Sequence, residues 1–78
     1  MIIDIRDASK YAKGHLKDAR NIPFFELYLH PDLYLDKKST YYLYCDTGVK
    51  SKILVVYLNK QGYHCVNIEG GYVNHLFK

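Results

Sequence analysis

The sequence predicts an α/β fold: a central parallel sheet with flanking helices. Three observations lead there. Short runs rich in β-branched and aromatic residues alternate with helix-sized stretches, the rhythm of βαβ units. The clearest run, Thr40–Cys45 (TYYLYC), is followed by a short glycine-containing loop and then a helix-capable apolar segment. The length, 78 residues, leaves room for one domain spanning residues 1–78, with a small core.

The elements follow in order. Residues 1–5 (MIIDI) read as a short buried strand. Asp7–Lys17 is polar and helix-compatible, with Tyr11, Ala12 and Leu16 as its apolar side, and Gly14 is placed to end or weaken it. Ala19–Pro23 is a short extended piece stopped by its proline. Phe24–Leu29 is an apolar and aromatic helix closed by His30-Pro31. Thr40–Cys45 is a strand and Asp46–Lys50 a loop. In residues 53–58 (ILVVYL) six consecutive apolar residues carry no period, so pattern alone fits a buried strand or a buried helix. Three cues favour helix over Ser51–Gln61: Ser51 as N-cap, Lys60 in the last turn and Gly62 as a left-handed C′ residue. An all-round apolar stretch of this kind is expected as a central helix packed on the sheet. Cys65–Ile68 is a further short strand, stopped by Gly70-Gly71, and residues 72–78 form a terminal segment.

Composition excludes several classes. With 49% hydrophobic and 24% charged residues the chain is an ordinary globular sequence, not a disordered tail or fibre. Nine Tyr and three Phe, with no Trp, supply large rings with polar tips. Eleven Lys and Arg against eight Asp and Glu give +3, spread along the chain without a basic stripe, so no nucleic acid partner is expected. No apolar run approaches a membrane span, and residues 1–5 reach a charge at Asp4, so neither a signal peptide nor a membrane partner is expected. Cys45 and Cys65 form no CxxC pair and no zinc-ligand set with His, which argues against a metal site. The expected compartment is a reducing cytoplasm, with both cysteines as thiols.

The segment with chemical potential is CDTGVKS, Cys45–Ser51. In a parallel sheet, ligands sit beyond the carboxyl ends of strands, often at the start of the next helix. Here a cysteine ends a strand and the loop after it is short. Its backbone N–H groups can curl inward and join the free N–H groups of the helix start as an anion cradle. A thiol at the rim of such a cradle ionises more easily, because the thiolate is the charge the cradle prefers. Lys50 and Lys52 add positive charge. The arrangement suits a nucleophilic cysteine acting on an anionic substrate. The plainer alternative is a buried cysteine at a strand end beside an ordinary turn.

Beyond that segment, motifs accumulate in a recognisable order. Asp4 and Arg6 form Asp-x-Arg at a strand end, and Gly14-His15-Leu16 and Ala19, Asn21-Ile22-Pro23 follow. Then come Cys45, Gly62-Tyr63 and Glu69-Gly70-Gly71. In this order and over nearly the whole chain, the sequence resembles the rhodanese-like domain family. The resemblance implies an α/β domain whose cysteine accepts a sulfane sulfur as a persulfide and passes it to a nucleophile. It implies no cofactor and no metal. The partners implied are small sulfur-containing anions or persulfides, or a sulfur-donor or acceptor protein. The sulfurtransferase loop spans six residues from the cysteine, here Cys45 to Lys50. Related phosphatase and arsenate-reductase-like members have a loop one residue longer with an arginine six places after the cysteine; this chain has Ser51 there, which lacks the planar fork phosphate recognition needs.

On this reading Cys45 is the nucleophile. The active-site loop is Asp46, Thr47, Gly48, Val49, Lys50 and Ser51, with the Thr47 hydroxyl and Lys50 assisting at the rim. Two departures from the family pattern stand out. Lys50 replaces a frequent arginine, keeping the charge without the fork. Asp46 sets a negative charge directly after the nucleophile and is expected to cancel part of the cradle's field. The remaining residues have structural readings. Asp4 and Arg6 brace the strand end, and His15 makes a structural hydrogen bond. His30, His64 and His75 lie on the surface, and Cys65 is a core hydrophobe. Tyr41, Tyr42, Tyr44 and Tyr57 pack in core and wall, as do Phe24 and Phe25. The alternative is a sulfur-relay or interaction module acting on protein partners with little turnover of free substrates, and an exposed apolar patch beside the loop would favour the relay.

Overall fold

The computed structural model describes residues 1–76. The elements are β1 (Ile2–Asp4), α1 (Ala8–Lys13), β2 (Ala19–Asn21), α2 (Phe24–Leu29), α3 (Pro31–Tyr34), β3 (Thr40–Tyr44), α4 (Val49–Lys60), β4 (His64–Asn67) and α5 (Gly71–Leu76). The four strands form one sheet in the order β2-β1-β3-β4, and every pairing is parallel. This is the expected α/β architecture with flanking helices. None of the helices is long and apolar enough to cross a membrane among the described residues.

The register explains the core. Ile3 lies beside Leu43, and Tyr41 beside Cys65. These four side chains are buried on one face of the sheet with Leu27, Leu54 and Leu58. The α4 helix covers β3 and β4 on this face, and α2 packs against α4. On the other face the carboxyl ends of β1 and β3 carry buried Asp4 and Tyr44, while Tyr42 and its β4 neighbour Val66 are exposed.

Several boundaries differ from expectation, each for a local reason. α1 stops at Lys13, since the backbone leaves the helical region at Gly14. Pro31 does not only close α2: it occupies the first position of the short helix α3, where its missing N–H costs nothing. The ILVVYL segment is helical, but α4 begins at Val49, ahead of Ser51. It is not buried all round. Leu54, Val55 and Leu58 face the core, whereas Ile53 is 61% exposed and Val56 and Tyr57 also reach solvent. Phe24 packs against the core, but Phe25 is 70% exposed, a correction to the expected packing. Tyr42 is likewise exposed, and His75 is half-buried rather than on the open surface. The terminal segment is helical through Leu76; its last positions, 77–78, lie outside the described residues.

Candidate active site

Cys45 follows directly on β3, and its side chain is buried at the carboxyl end of the sheet. The chain then turns within Asp46, Thr47 and Gly48 and enters α4. The N-cap of α4 is Gly48, not Ser51 as the sequence suggests. Gly48 adopts φ 92°, a left-handed conformation that side chains resist, and a Cβ there would lie 3.0 Å from the backbone nitrogen of Gly70. The tight entry turns the helix's first N–H groups onto the sulfur. Gly48 N–H donates to Cys45 Sγ at 3.2 Å and Ser51 N–H donates at 3.4 Å.

Ser51 is fully buried in the first turn of α4 rather than capping it. Its Oγ lies 3.4 Å from Cys45 Sγ and donates a hydrogen bond to Asn67 Oδ1. The Asn67 amide in turn donates to the Gly48 carbonyl at 3.2 Å, tying the end of β4 to the loop. Burial pushes the Cys45 thiol up. The Ser51 hydroxyl and the N–H groups of Ser51, Gly48 and Thr47 outweigh it, and the thiol is held below its ordinary value. At this junction the N–H groups of Gly48 and Ser51 point at the sulfur. Asn67 was invisible in the local pattern, though its position at the carboxyl end of a strand adjoining β3 is the kind of place where site residues gather.

The loop rests on the start of α5. Tyr72 N–H donates to the Cys45 carbonyl at 2.8 Å and Val73 N–H to the Asp46 carbonyl at 3.0 Å. Gly71 has φ 62°, and a Cβ on it would overlap the Cys45 carbonyl oxygen and sit 2.7 Å from that of Asp46. Gly71 therefore lets one backbone lie directly against the other.

The Asp4–Arg6 pair braces the neighbouring wall. Asp4 is fully buried and accepts from the Arg6 guanidinium at 2.7 Å and from the Tyr44 hydroxyl at 2.8 Å. Arg6 also donates to the Gly14 carbonyl at 2.7 Å and lies 4.1 Å over the Tyr72 ring. His15 turns back onto α1: its Nδ1 lies 2.8 Å from the Tyr11 carbonyl and its ring stacks on Tyr11.

Asp46 behaves differently from expectation. Its carboxylate is ion-paired with Lys10 at 2.6 Å and with Arg6 at 3.4 Å. The hydrogen bond from Lys10 is the main reason its carboxyl stays below the usual range. Its charge is thus spent on two cations and does not stand alone over the cradle. Lys10, on α1, was not singled out by the sequence. Thr47, Val49 and Lys50 are exposed, and all three line a cleft of about 830 Å³ whose floor includes Cys45. Phe24, Phe25 and Ile53 share that lining. Lys52, though near the helix start, is not part of it.

Cys65 has a contrasting setting. It lies within β4, its backbone N–H and carbonyl paired with the Asn59 side chain at 2.8 and 3.0 Å, and burial alone pushes its thiol up to about 11.

Known proteins align with this arrangement. A curated tRNA sulfurtransferase of Shewanella sediminis is 44% identical over an alignment of 73 positions that covers 87% of this chain. A second tRNA sulfurtransferase, of Shewanella loihica, is 41% identical over the same span. The chain spans about 15% of the length of these curated relatives. Among solved structures, a rhodanese-like domain protein of Staphylococcus aureus is similar with a TM-score of 0.78 and 36% identity, over 90% of this chain and 68% of that one. A rhodanese-related protein of Thermoplasma volcanium gives a TM-score of 0.88 at 26% identity, over 97% and 75% of the two chains. The model of the rhodanese-like domain matches residues 1–76, nearly the full length, and the chain belongs to that family.

Proposed function

We propose that this protein is a sulfurtransferase in which Cys45 carries a sulfane sulfur as a persulfide. The observation that carries the reading is the set of hydrogen bonds from Gly48 and Ser51 to Cys45 Sγ at the start of α4. A thiolate held there is nucleophilic at neutral pH. It attacks the outer sulfur of thiosulfate or the terminal sulfur of a persulfide. The donor's S–S bond breaks, and its electron pair leaves with sulfite or with the donor thiol. The transferred sulfur, now the terminal atom on Cys45, takes its negative charge into the backbone N–H groups of residues 46–51, with the Thr47 hydroxyl and Lys50 at the rim. An acceptor such as cyanide or a thiolate then attacks that terminal sulfur and releases the Cys45 thiolate. Sulfur is both nucleophile and leaving atom, so the cycle needs neither metal nor cofactor. The names of the curated relatives support sulfur transfer as the class. The two free cysteines fit a reducing compartment, the cytoplasm.

A second reading, relay between proteins, is favoured by apolar side chains that continue past the cleft. Tyr28 and Leu29 on α2 and Val56 and Tyr57 on α4 are exposed, and the Tyr28 and Tyr57 rings join the two helices at 4.6 Å. A partner protein's persulfide or acceptor thiol would then meet Cys45 across this face.

Intact mass tests the first reading. The reduced protein is incubated with thiosulfate and, separately, with a persulfide donor. Wild type and Cys65→Ser are expected to gain one sulfur atom, and Cys45→Ser none. Charging of Cys45→Ser, or none of Cys65→Ser with either donor, contradicts it.

A further inference from the structure

The cleft above Cys45 is poorly matched to a small dianion. Its lining holds three cations, Arg6, Lys10 and Lys50, and three carboxylates, Asp7, Glu26 and Asp46, so its formal charge is zero. Two of the cations are already engaged: Arg6 with buried Asp4 at 2.7 Å, and Lys10 with Asp46 at 2.6 Å. Lys50 is left as the lining's one cation without an ion pair among the described residues. One available positive charge and a backbone cradle suit one negative charge. At about 830 Å³ the space is also far larger than an inorganic oxyanion of sulfur requires; volumes of about 300–1,000 Å³ accommodate organic ligands.

The uncharged part of the wall indicates what the rest of the space holds. Phe25 stands 70% exposed, Val49 63% and Ile53 61%, all three facing the same cleft. They come from two elements, α2 and the first turns of α4, and share the lining of the cleft with Cys45. An isolated exposed apolar side chain needs no explanation, but three on one cleft beside a nucleophile mark a recognition surface.

Building on the sulfurtransferase reading, we propose that Phe25, Val49 and Ile53 determine donor specificity. They receive the apolar body of an organic sulfane-sulfur donor that carries a single negative charge, in preference to the thiosulfate dianion. For a thiosulfonate, the Cys45 thiolate attacks the outer sulfur. A new S–S bond forms on Cys45, the bond to the sulfonyl sulfur breaks, and the sulfinate leaves with the electron pair. One thiolate and one thiosulfonate anion become one persulfide anion and one sulfinate anion. No oxidant or reductant is consumed.

The test measures the rate of sulfur addition to Cys45 by intact mass in a Cys65→Ser background. The probes are thiosulfate, methanethiosulfonate and benzenethiosulfonate. Each rate is divided by the rate of the same donor with a small free thiol, which removes intrinsic reactivity. The benzene member is expected to exceed the methane member by about tenfold or more, the low end of what an apolar pocket discriminates, and thiosulfate is expected to be slowest. Phe25→Ala and Ile53→Ala should each shrink the benzene-to-methane ratio about threefold or more, and Phe25→Leu should restore most of it. Both side chains are exposed, so neither change opens the core. A ratio near one in the parent, or a ratio that Phe25→Ala and Ile53→Ala leave unmoved, overturns the specificity assignment while sulfur transfer itself stands. Failure of all three donors to place sulfur on Cys45 overturns both.

Discussion

The two cysteines are equally buried, each 6% exposed, yet their thiols shift in opposite directions. Cys65 sits inside β4, where its neighbours' polar groups are consumed by sheet pairing and by the Asn59 side chain. Only burial acts on its sulfur, and burial disfavours the thiolate. Cys45 sits one residue past the end of β3, where the chain has stopped pairing and the first N–H groups of α4 have no carbonyl to bond. Those donors turn to the sulfur instead. Burial is therefore a poor guide to cysteine reactivity. What decides it is whether unpaired donors face the sulfur, and a strand-to-helix junction supplies them.

The largest way to break this contrast is to lift the loop off its support. Gly71→Ala places a Cβ against the carbonyl oxygens of Cys45 and Asp46 at a backbone angle side chains resist. A loss of about 2–3 kcal/mol is expected, and each kcal/mol lowers Tm by about 4–8 °C in a domain this small. Thermal unfolding by circular dichroism checks it; an unchanged Tm would show that the loop does not rest on α5.

The second test uses stability against pH. The folded Cys65 thiol is raised to about 11, so its contribution is fully present below the unfolded value and is lost as pH rises towards and through that figure. In that window the unfolded chain gives up a proton the folded one keeps, and a loss of about 2–3 kcal/mol is expected. Cys45 acts with the opposite sign: its lowered thiol adds stability as pH rises through the folded value to the unfolded one. Urea unfolding at about pH 8 and about pH 10.5, under reductant, should show a smaller alkaline loss for Cys65→Ala than for wild type. An equal or larger loss would mean that Cys65 is not desolvated.

Ser51→Ala removes the side-chain hydroxyl at the sulfur and leaves the backbone donors in place. When Cys45 ionises, that hydroxyl can turn from Asn67 to the thiolate, a bond to a charged group worth about 1.5 kcal/mol. Alkylation of Cys45 near neutral pH should slow about tenfold. No change would assign the thiolate to the backbone alone.

The smallest effect belongs to Asp46. Asp46→Asn releases Lys10 and the outer face of Arg6, so the cleft gains one positive charge. Charging by thiosulfate should rise about threefold at low salt, and the gain should fade as salt screens the exposed mouth. Lys50→Ala should act in the opposite sense. A salt-independent loss in Asp46→Asn would show that the ion pair holds the loop rather than tuning its charge.

The contrast between the cysteines was largely legible in the sequence, because it depends on local order. TYYLYC announces a strand, Cys45 ends it, and a helix follows a short loop, while Cys65 lies inside a second strand. The start of α4 was misplaced because capping preference favours Ser51, whereas the real cap is a glycine in a left-handed conformation with no side chain to reveal it. Phe25 was misplaced because an apolar residue announces affinity for burial without saying whether a neighbour exists to provide it. The pairs Lys10–Asp46 and Ser51–Asn67 join residues distant in the chain, and only the register of a folded sheet and the placing of α1 bring them together. Sequence distance hides such contacts whatever the residues' chemistry.

The central claim is that donors at the start of α4, rather than exposure, make Cys45 the reactive thiol. Two single-cysteine proteins, Cys65→Ser and Cys45→Ser, test it through the pH dependence of iodoacetamide alkylation. In the first, the account predicts a midpoint for Cys45 below the free-thiol value of about 8.5. In the second, Cys65 should stay protected until the pH approaches about 11. A Cys45 midpoint at or above the free-thiol value, or coincident profiles for the two cysteines, would contradict it.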